Sequence, residues 1–403
     1  MTNKPAIAGG VPVRNRPLPL AQADMTEKDI EAVSGTLREG KLGCGAKVRE
    51  FEAAVAGYVG ARYAVAVSSG AAGLHVALMA AAVGHEDEVI TTSLTHPATT
   101  NCILYQNGIH TLVDVDPATF NIDPVQVEHR ITRRTEALIP VHFAGNPCDM
   151  RAFHQLAREN GLSVIEDAAH ALGGEYDGQK IGSLSDLTVF SFSDPQHCYT
   201  GEGGIITTNS ADLCQWMLVF RENGMVRDAR KLVGPGEPWR VEMQDRGFNY
   251  RMTEMQAALG IAQMKRVDAF VARRAAIAQL YNRTLAGHPA VALPEQNPRG
   301  RSTWHYYILA LRMENLKASR AEIYDALRAE NIQVWVHYLP VFLHPYYMWI
   351  GHPDVCTIEG SLCPNAEDLY NRFITLPLYP AMSDGDARDV MDAVTRVLEY
   401  YAI

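Results

Sequence analysis

The chain has 403 residues, 47% of them hydrophobic and 20% charged, with a formal net charge of −10. That length calls for one large domain and a smaller one, and an acidic chain without a basic run is not built to bind nucleic acid. No apolar stretch approaches the roughly 20 residues of a membrane span. The first residues lack a charged-then-apolar signal pattern, and seven scattered cysteines make neither a disulfide framework nor a structural zinc site. A cytoplasmic protein without metal is expected.

In chain order, the segment 1–42 is expected to wrap the core and to carry a helix over 26–37. From 60 to 210 the sequence alternates. Apolar runs at 64–67, 88–90, 111–114, 137–141, 163–165 and 187–191 read as strands buried on both faces. Amphipathic stretches at 71–82 and 150–160 lie between them, the second with Asp149 as its N-cap. This is the α/β pattern of a mostly parallel sheet flanked by helices. A long helix is expected over 253–287, started by a capping box of Thr253 and Gln256. A Pro- and Gly-rich loop, 293–303, separates it from a strand over 304–311. Then come a helix over 319–330, with Ser319 and Glu322 as a second capping box, a strand over 333–337 and a closing helix over 384–400. The predicted division is a large domain over 1–275, including the N-terminal segment, and a small α+β domain over 276–403.

Three motifs carry chemistry, each at a strand end. Ser69-Gly70-Ala71-Ala72 takes a strand into a helix, so free backbone N–H groups and the helix dipole face an anion; an ordinary βα turn reads the same way. Glu166-Asp167-Ala168-Ala169-His170 ends a strand in a carboxylate, able either to cap a helix or to keep a pyridine nitrogen protonated. The segment from Val189 through Ser191 to Thr200-Gly201-Glu202-Gly203-Gly204 passes a polar turn into a glycine-rich strand entry. Ligands of open α/β sheets sit outside the carboxyl ends of the strands, which makes the three together far more specific than any one.

With those motifs, the run from Gly247 to Gly260 and the closing Leu376-Pro377-Leu378-Tyr379-Pro380, the chain resembles the DegT/DnrJ/StrS family of PLP-dependent sugar aminotransferases. The similarity covers nearly the whole chain. His170 with Ala171-Leu172-Gly173, and the tail after Val334, resemble in particular the C4-transaminases of UDP-linked 4-keto sugars. The resemblance implies PLP fold type I, the aspartate-aminotransferase-like architecture. It implies pyridoxal or pyridoxamine 5′-phosphate as cofactor, a nucleotide-linked keto sugar as substrate, glutamate as amino donor, and a homodimer with shared active sites. By the same resemblance Asp167 pairs with the pyridine nitrogen. Ser191 and the backbone at Gly70, Ala71 and Ala72 hold the phosphate. His96 takes the place of the ring stacked on the cofactor, His170 lies beside the ring hydroxyl, and Asn249 reaches the neighbouring subunit's phosphate. Arg251, His337 and Tyr338 are candidates for the substrate, each equally readable as structural.

The pattern breaks at one place. The family's Schiff-base lysine lies five residues before the first glycine of Gly-Glu-Gly-Gly, and here that position is Gln196. The eight lysines of the chain are at 4, 28, 41, 47, 180, 231, 265 and 317, none near the loop. An amide neither forms an imine nor acts as a base at neutral pH, so the cofactor is expected to bind without a covalent link. Ala71 for threonine, His96 for a larger aromatic, and Ser193-Asp194 for His-Pro are further departures, which suit natural loss of the lysine; replacement to trap a substrate is the other explanation. Three functions remain open: an impaired or altered aminotransferase, a lysine-free dehydratase with His197 as base (if the turn at Pro195 points it inward), and a non-catalytic binding homologue.

Overall fold

The computed structural model describes residues 4–193, 196–234, 237–350 and 361–403. Asp194, Pro195 and Cys356 therefore lie outside the described residues.

The large domain begins with helices α1 (Glu27–Glu39) and α2 (Ala46–Val59). Its alternating part runs β1 (Tyr63–Val67), α3 (Gly70–Ala80), β2 (Glu88–Thr92), α4 (Ala98–Tyr105), β3 (Ile109–Val113), α5 (Pro124–Arg130), β4 (Thr135–Ile139), α6 (Met150–Asn160) and β5 (Ser163–Asp167). A short hairpin, β6 (Glu175–Tyr176) and β7 (Gln179–Lys180), leads to β8 (Leu187–Ser191), β9 (Gly204–Thr208) and α7 (Ala211–Arg221). Seven strands form the sheet in the order β1-β9-β8-β5-β4-β2-β3. Only β9 runs against its neighbours, β1 and β8; the other pairings are parallel. Strands β2, β8 and β9 are buried at every position, because helices cover both faces.

After a two-stranded hairpin, β10 (Met225–Val226) and β11 (Glu242–Met243), the chain enters α8 (Glu254–Met264) and α9 (Val267–Leu285). The expected single helix is thus two. The break at Lys265 and Arg266 redirects the chain: α8 packs on α1 and α2. Val267 and Val271 of α9 join the large core, while Ile277, Tyr281 and Leu285 join the small one. Helix α9 thus runs from one core into the other.

The small domain holds a sheet of β12 (Val291–Ala292), β14 (Tyr307–Leu311) and β15 (Phe373–Leu376), with β13 (Gly300–Arg301) pairing back to β6. Helices α10 (Arg320–Ala329), α11 (Pro345–Trp349), α12 (Pro364–Arg372) and α13 (Asp384–Tyr401) complete it. The predicted strand over 304–311 starts three residues late, since Trp304 has φ 53°. The stretch 333–337 forms only a bridge between Trp335 and Thr375. The N-terminal segment differs from expectation in part: α1 packs on α8 of the large domain, but the residues before it pack on the small domain. Leu18 sits in that core and bridges Ile332, and the fully buried Glu330 carboxylate accepts from the N–H groups of Ala6 and Val13. A buried carboxylate needs such donors. Among the described residues, no helix is long and apolar enough to cross a membrane.

Candidate active site

A cleft of about 460 Å³ opens at the carboxyl ends of β1, β5 and β8, facing the small domain. Its floor is built by local rules. Ser69 ends the β1 turn and caps α3, its side chain accepting from Ala72 N at 3.1 Å. That bond commits the Ala72 N–H, so Ala72, expected to help hold an anion, does not. The N–H groups of Gly70 and Ala71 have no acceptor within the helix, and both residues line the cleft. Residue 70 must be glycine, because a Cβ there would stand 2.8 Å from the Ser191 Cβ. Ser191, at the end of β8, lines the same space, its Oγ 3.2 Å from that of Ser193.

Alternation along β5 sends Glu166 and Asp167 to opposite faces. Glu166 lies wholly buried on His142, 2.8 Å away, and accepts from Thr188. Asp167 enters the cleft. One of its oxygens accepts from Thr99 Oγ1 at 2.8 Å, the other from Ala169 N at 3.2 Å. Burial raises its carboxyl above the usual range. Thr99 escaped the sequence reading, since nothing in its neighbourhood reveals a partner 68 positions away.

The facing wall comes from irregular parts of the small domain. Tyr306, His337 and Tyr338 line the cleft. Tyr338 Oη lies 3.1 Å from Tyr306 Oη and 3.4 Å from His170 Nε2. His337 Nδ1 meets Thr375 Oγ1 at 2.9 Å, and its ring stacks on Tyr306. His170 stacks on His305 with centroids 4.3 Å apart. Burial pushes both His170 and His337 down to about 3, so they are neutral at pH 7. Behind them, the buried Arg274 donates to the carbonyls of His305 and Leu378. His96 stands exposed at the mouth, its Nδ1 accepting from Ala98 N.

Gln196 lines the cleft, and its buried Oε1 has no hydrogen-bond partner among the described residues. His197 does not line it. Its ring turns the other way, Nε2 donating to the Thr303 carbonyl at 3.3 Å, beside His305. Burial holds it well below the usual histidine range. The turn, closed by the Gln196 N–H on the Ser193 carbonyl, thus puts the Gln196 side chain in the cleft and that of His197 away from it. Asn249 and Arg251 are also away from this chain's own cleft. Asn249 is exposed, and Arg251 pairs with Glu222 at 3.1 Å. All eight lysines are among the described residues, and none lines the cleft. Lys180, for instance, lies by Glu175 and Asp268. Glu202 and Tyr306 complete the lining and were missed by sequence reasoning; Glu202 sits within the Gly-Glu-Gly-Gly motif, which was its only signal.

These residues fit a phosphorylated pyridine. A helix start and a serine hydroxyl cradle an anion, and a buried carboxylate waits for a cationic ring nitrogen. With the lone antiparallel strand in an otherwise parallel sheet, they define a PLP-dependent transferase of fold type I. The chain belongs to the DegT/DnrJ/EryC1/StrS aminotransferase family, whose model matches residues 23–395. It is 39% identical, over 96% of its length and 98% of the other's, to the spore coat polysaccharide biosynthesis protein SpsC of Bacillus subtilis. It superposes on DesV of S. venezuelae with a TM-score of 0.83 and 32% identity, covering 93% of this chain and 95% of that one. On the putative sugar aminotransferase Spr1654 of Streptococcus pneumoniae, solved in PMP and PLP forms, the TM-score is 0.86 at 27% identity, over 95% of this chain and 98% and 99% of those. The enzyme class is thus sugar transamination with pyridoxal phosphate.

Proposed function

We propose that this chain binds pyridoxal or pyridoxamine 5′-phosphate without a covalent link and serves amination of a nucleotide-linked keto sugar, with glutamate as amino donor and Gln196 where the family carries its lysine. The observation that supports it is a single cleft in which a helix start, the Ser191 hydroxyl and the buried Asp167 carboxylate converge beside an amide, with no lysine in the lining. When bound, the cofactor supplies an electron sink and carries the amino group.

The chain's own atoms do the rest. The Gly70 and Ala71 N–H groups and the Ser191 hydroxyl hold the phosphate. Asp167 keeps the ring nitrogen protonated, and the pairing offsets the desolvation of its own charge. Neutral His170, fixed by its stack on His305, lies against the ring's hydroxyl side. Tyr338 and His337 close the cleft from the small domain and exclude water. Exposed Asn249 and outlying Arg251 serve the cleft of a second copy in a cytoplasmic homodimer. Gln196 can neither form an imine nor move a proton, and absence of a positioned base lowers turnover by roughly 10²–10⁴-fold. His197, turned toward Thr303, gives the dehydratase reading no support.

The test is reduction with borohydride followed by mass spectrometry. The native chain should retain no reduced cofactor on any lysine, whereas Gln196→Lys should retain one per chain and gain glutamate-dependent transamination of a UDP-linked 4-keto sugar. Reduced cofactor on one of the eight native lysines would overturn the reading, and so would a Gln196→Lys chain that fixes none.

A further inference from the structure

Resting on that reading, we infer that the unpartnered Gln196 amide and the cation-free cleft make this chain selective for the amine form of the cofactor, pyridoxamine 5′-phosphate, over forms with no amine at the same carbon.

The argument is one of charge and acceptors. Asp167 and Glu202 bring two carboxylates to the cleft, and no lysine or arginine lines it. The histidines that do are all shifted toward the neutral form, His170 and His337 by burial and the more exposed His96 by partial desolvation. The phosphate is served by backbone N–H groups and a hydroxyl, which carry no full charge. With Asp167 committed to the ring nitrogen in every form of the cofactor, the lining leaves the Glu202 carboxylate and Gln196 Oε1 as acceptors among side chains that include no lysine or arginine.

Gln196 Oε1 sharpens this. It is a buried carbonyl oxygen, on a residue 7% exposed, with no hydrogen-bond donor among the described residues. A buried acceptor left unmet carries the full penalty of its desolvation. The backbone N–H of Gln196 is held by the Ser193 carbonyl at 2.9 Å, which anchors the residue in its turn. A ligand ammonium in the cleft supplies both missing pieces, a donor and a positive charge. An aldehyde supplies neither. A hydroxymethyl group supplies a donor without the charge. In a chain with lysine here, the protein itself would provide the cation; in this one the ligand must.

The experiment is calorimetric titration of the full chain, stripped of cofactor, with pyridoxamine 5′-phosphate, pyridoxal 5′-phosphate and pyridoxine 5′-phosphate. The last is an alcohol with the same ring and phosphate. A charge-assisted hydrogen bond predicts that the amine binds at least about tenfold more tightly than the alcohol. Gln196→Leu should bring the two within about threefold, and Gln196→Glu should widen the gap. Gln196→Lys should reverse the order in favour of the aldehyde. Equal affinity of native chain for amine and alcohol would overturn the inference while leaving the cofactor site standing. Because Gln196→Glu is nearly isosteric, failure of Gln196→Leu to fold leaves the comparison intact: a gap unchanged in Gln196→Glu also counts against the inference. Binding of none of the three would instead overturn the proposed function, and this inference with it.

Discussion

One side of the cleft stands on strand ends: Gly70 and Ala71 after β1, Asp167 at the end of β5, Ser191 at the end of β8. The other hangs on irregular stretches of the small domain, where Tyr306, His337 and Tyr338 hold one another by stacking and long hydrogen bonds. The first uses backbone, one hydroxyl and one carboxylate, and its positions follow from sheet geometry. The second uses large neutral side chains whose positions depend on each other and on Arg274 behind them. Under the proposed function a rigid anion-and-ring cradle and a side-chain wall meet at one ligand, and they should respond differently to perturbation.

Acid separates them most. His170 and His337 have folded pKa values depressed by burial to about 3, from 6.5. Their contribution to stability is fully present above pH 6.5 and is lost as pH falls toward 3. Each costs about 1.4 kcal/mol per pH unit below 6.5, hence about 4 kcal/mol for the two at pH 5. Asp167 has the opposite sign: burial raises its pKa, so its proton favours the folded state as pH falls. Urea titrations from pH 7 to 5 should show the loss, and replacing both histidines by glutamine should remove about that much of it, leaving the part that belongs to the other buried histidines, His75, His197 and His305. A flat profile in the native chain would mean the wall is not a set of buried neutral rings.

Next in size is Asp167→Asn, aimed at the cradle alone. Losing a buried charge partner costs about 3 kcal/mol, or roughly 100-fold in affinity for pyridoxamine 5′-phosphate. The ligand-free protein should be no less stable, because the removed charge was buried. Unchanged affinity in a calorimetric titration would remove Asp167 from the ring's partners.

Smallest is Tyr338→Phe, aimed at the wall. It deletes hydroxyl contacts with Tyr306 and His170, worth about 0.5–1.5 kcal/mol each. Thermal melting should shift by a few degrees while cofactor affinity stays within about threefold. A loss of affinity as large as that for Asp167→Asn would mean that cradle and wall are one unit.

Much of this was legible beforehand where local rules decide. Asp149 caps α6, and the capping boxes at Thr253 with Gln256 and at Ser319 with Glu322 formed as their spacing implied. The Ser-Gly-Ala-Ala turn and Asp167 lie on one cleft. Thr99 and Tyr306 were not legible, because a threonine or a tyrosine looks the same in sequence whether it meets a neighbour or a residue far along the chain. Nor was the break at Lys265 and Arg266, which leaves the helical pattern of α8 and α9 unaltered, or the passage of α9 from the large core into the small one.

By itself, then, the sequence determined the α/β alternation, the family and the presence of an amide in place of an amine, since these reside in periodicity, short motifs and residue identity. Only the tertiary structure decided that Gln196 faces the cleft while His197 turns to Thr303, and that the first residues join the small domain through Glu330. Side-chain direction in an irregular turn, and the resting place of a terminal segment, are set by which distant partners satisfy buried polar groups, and that balance exists only once the whole chain is packed.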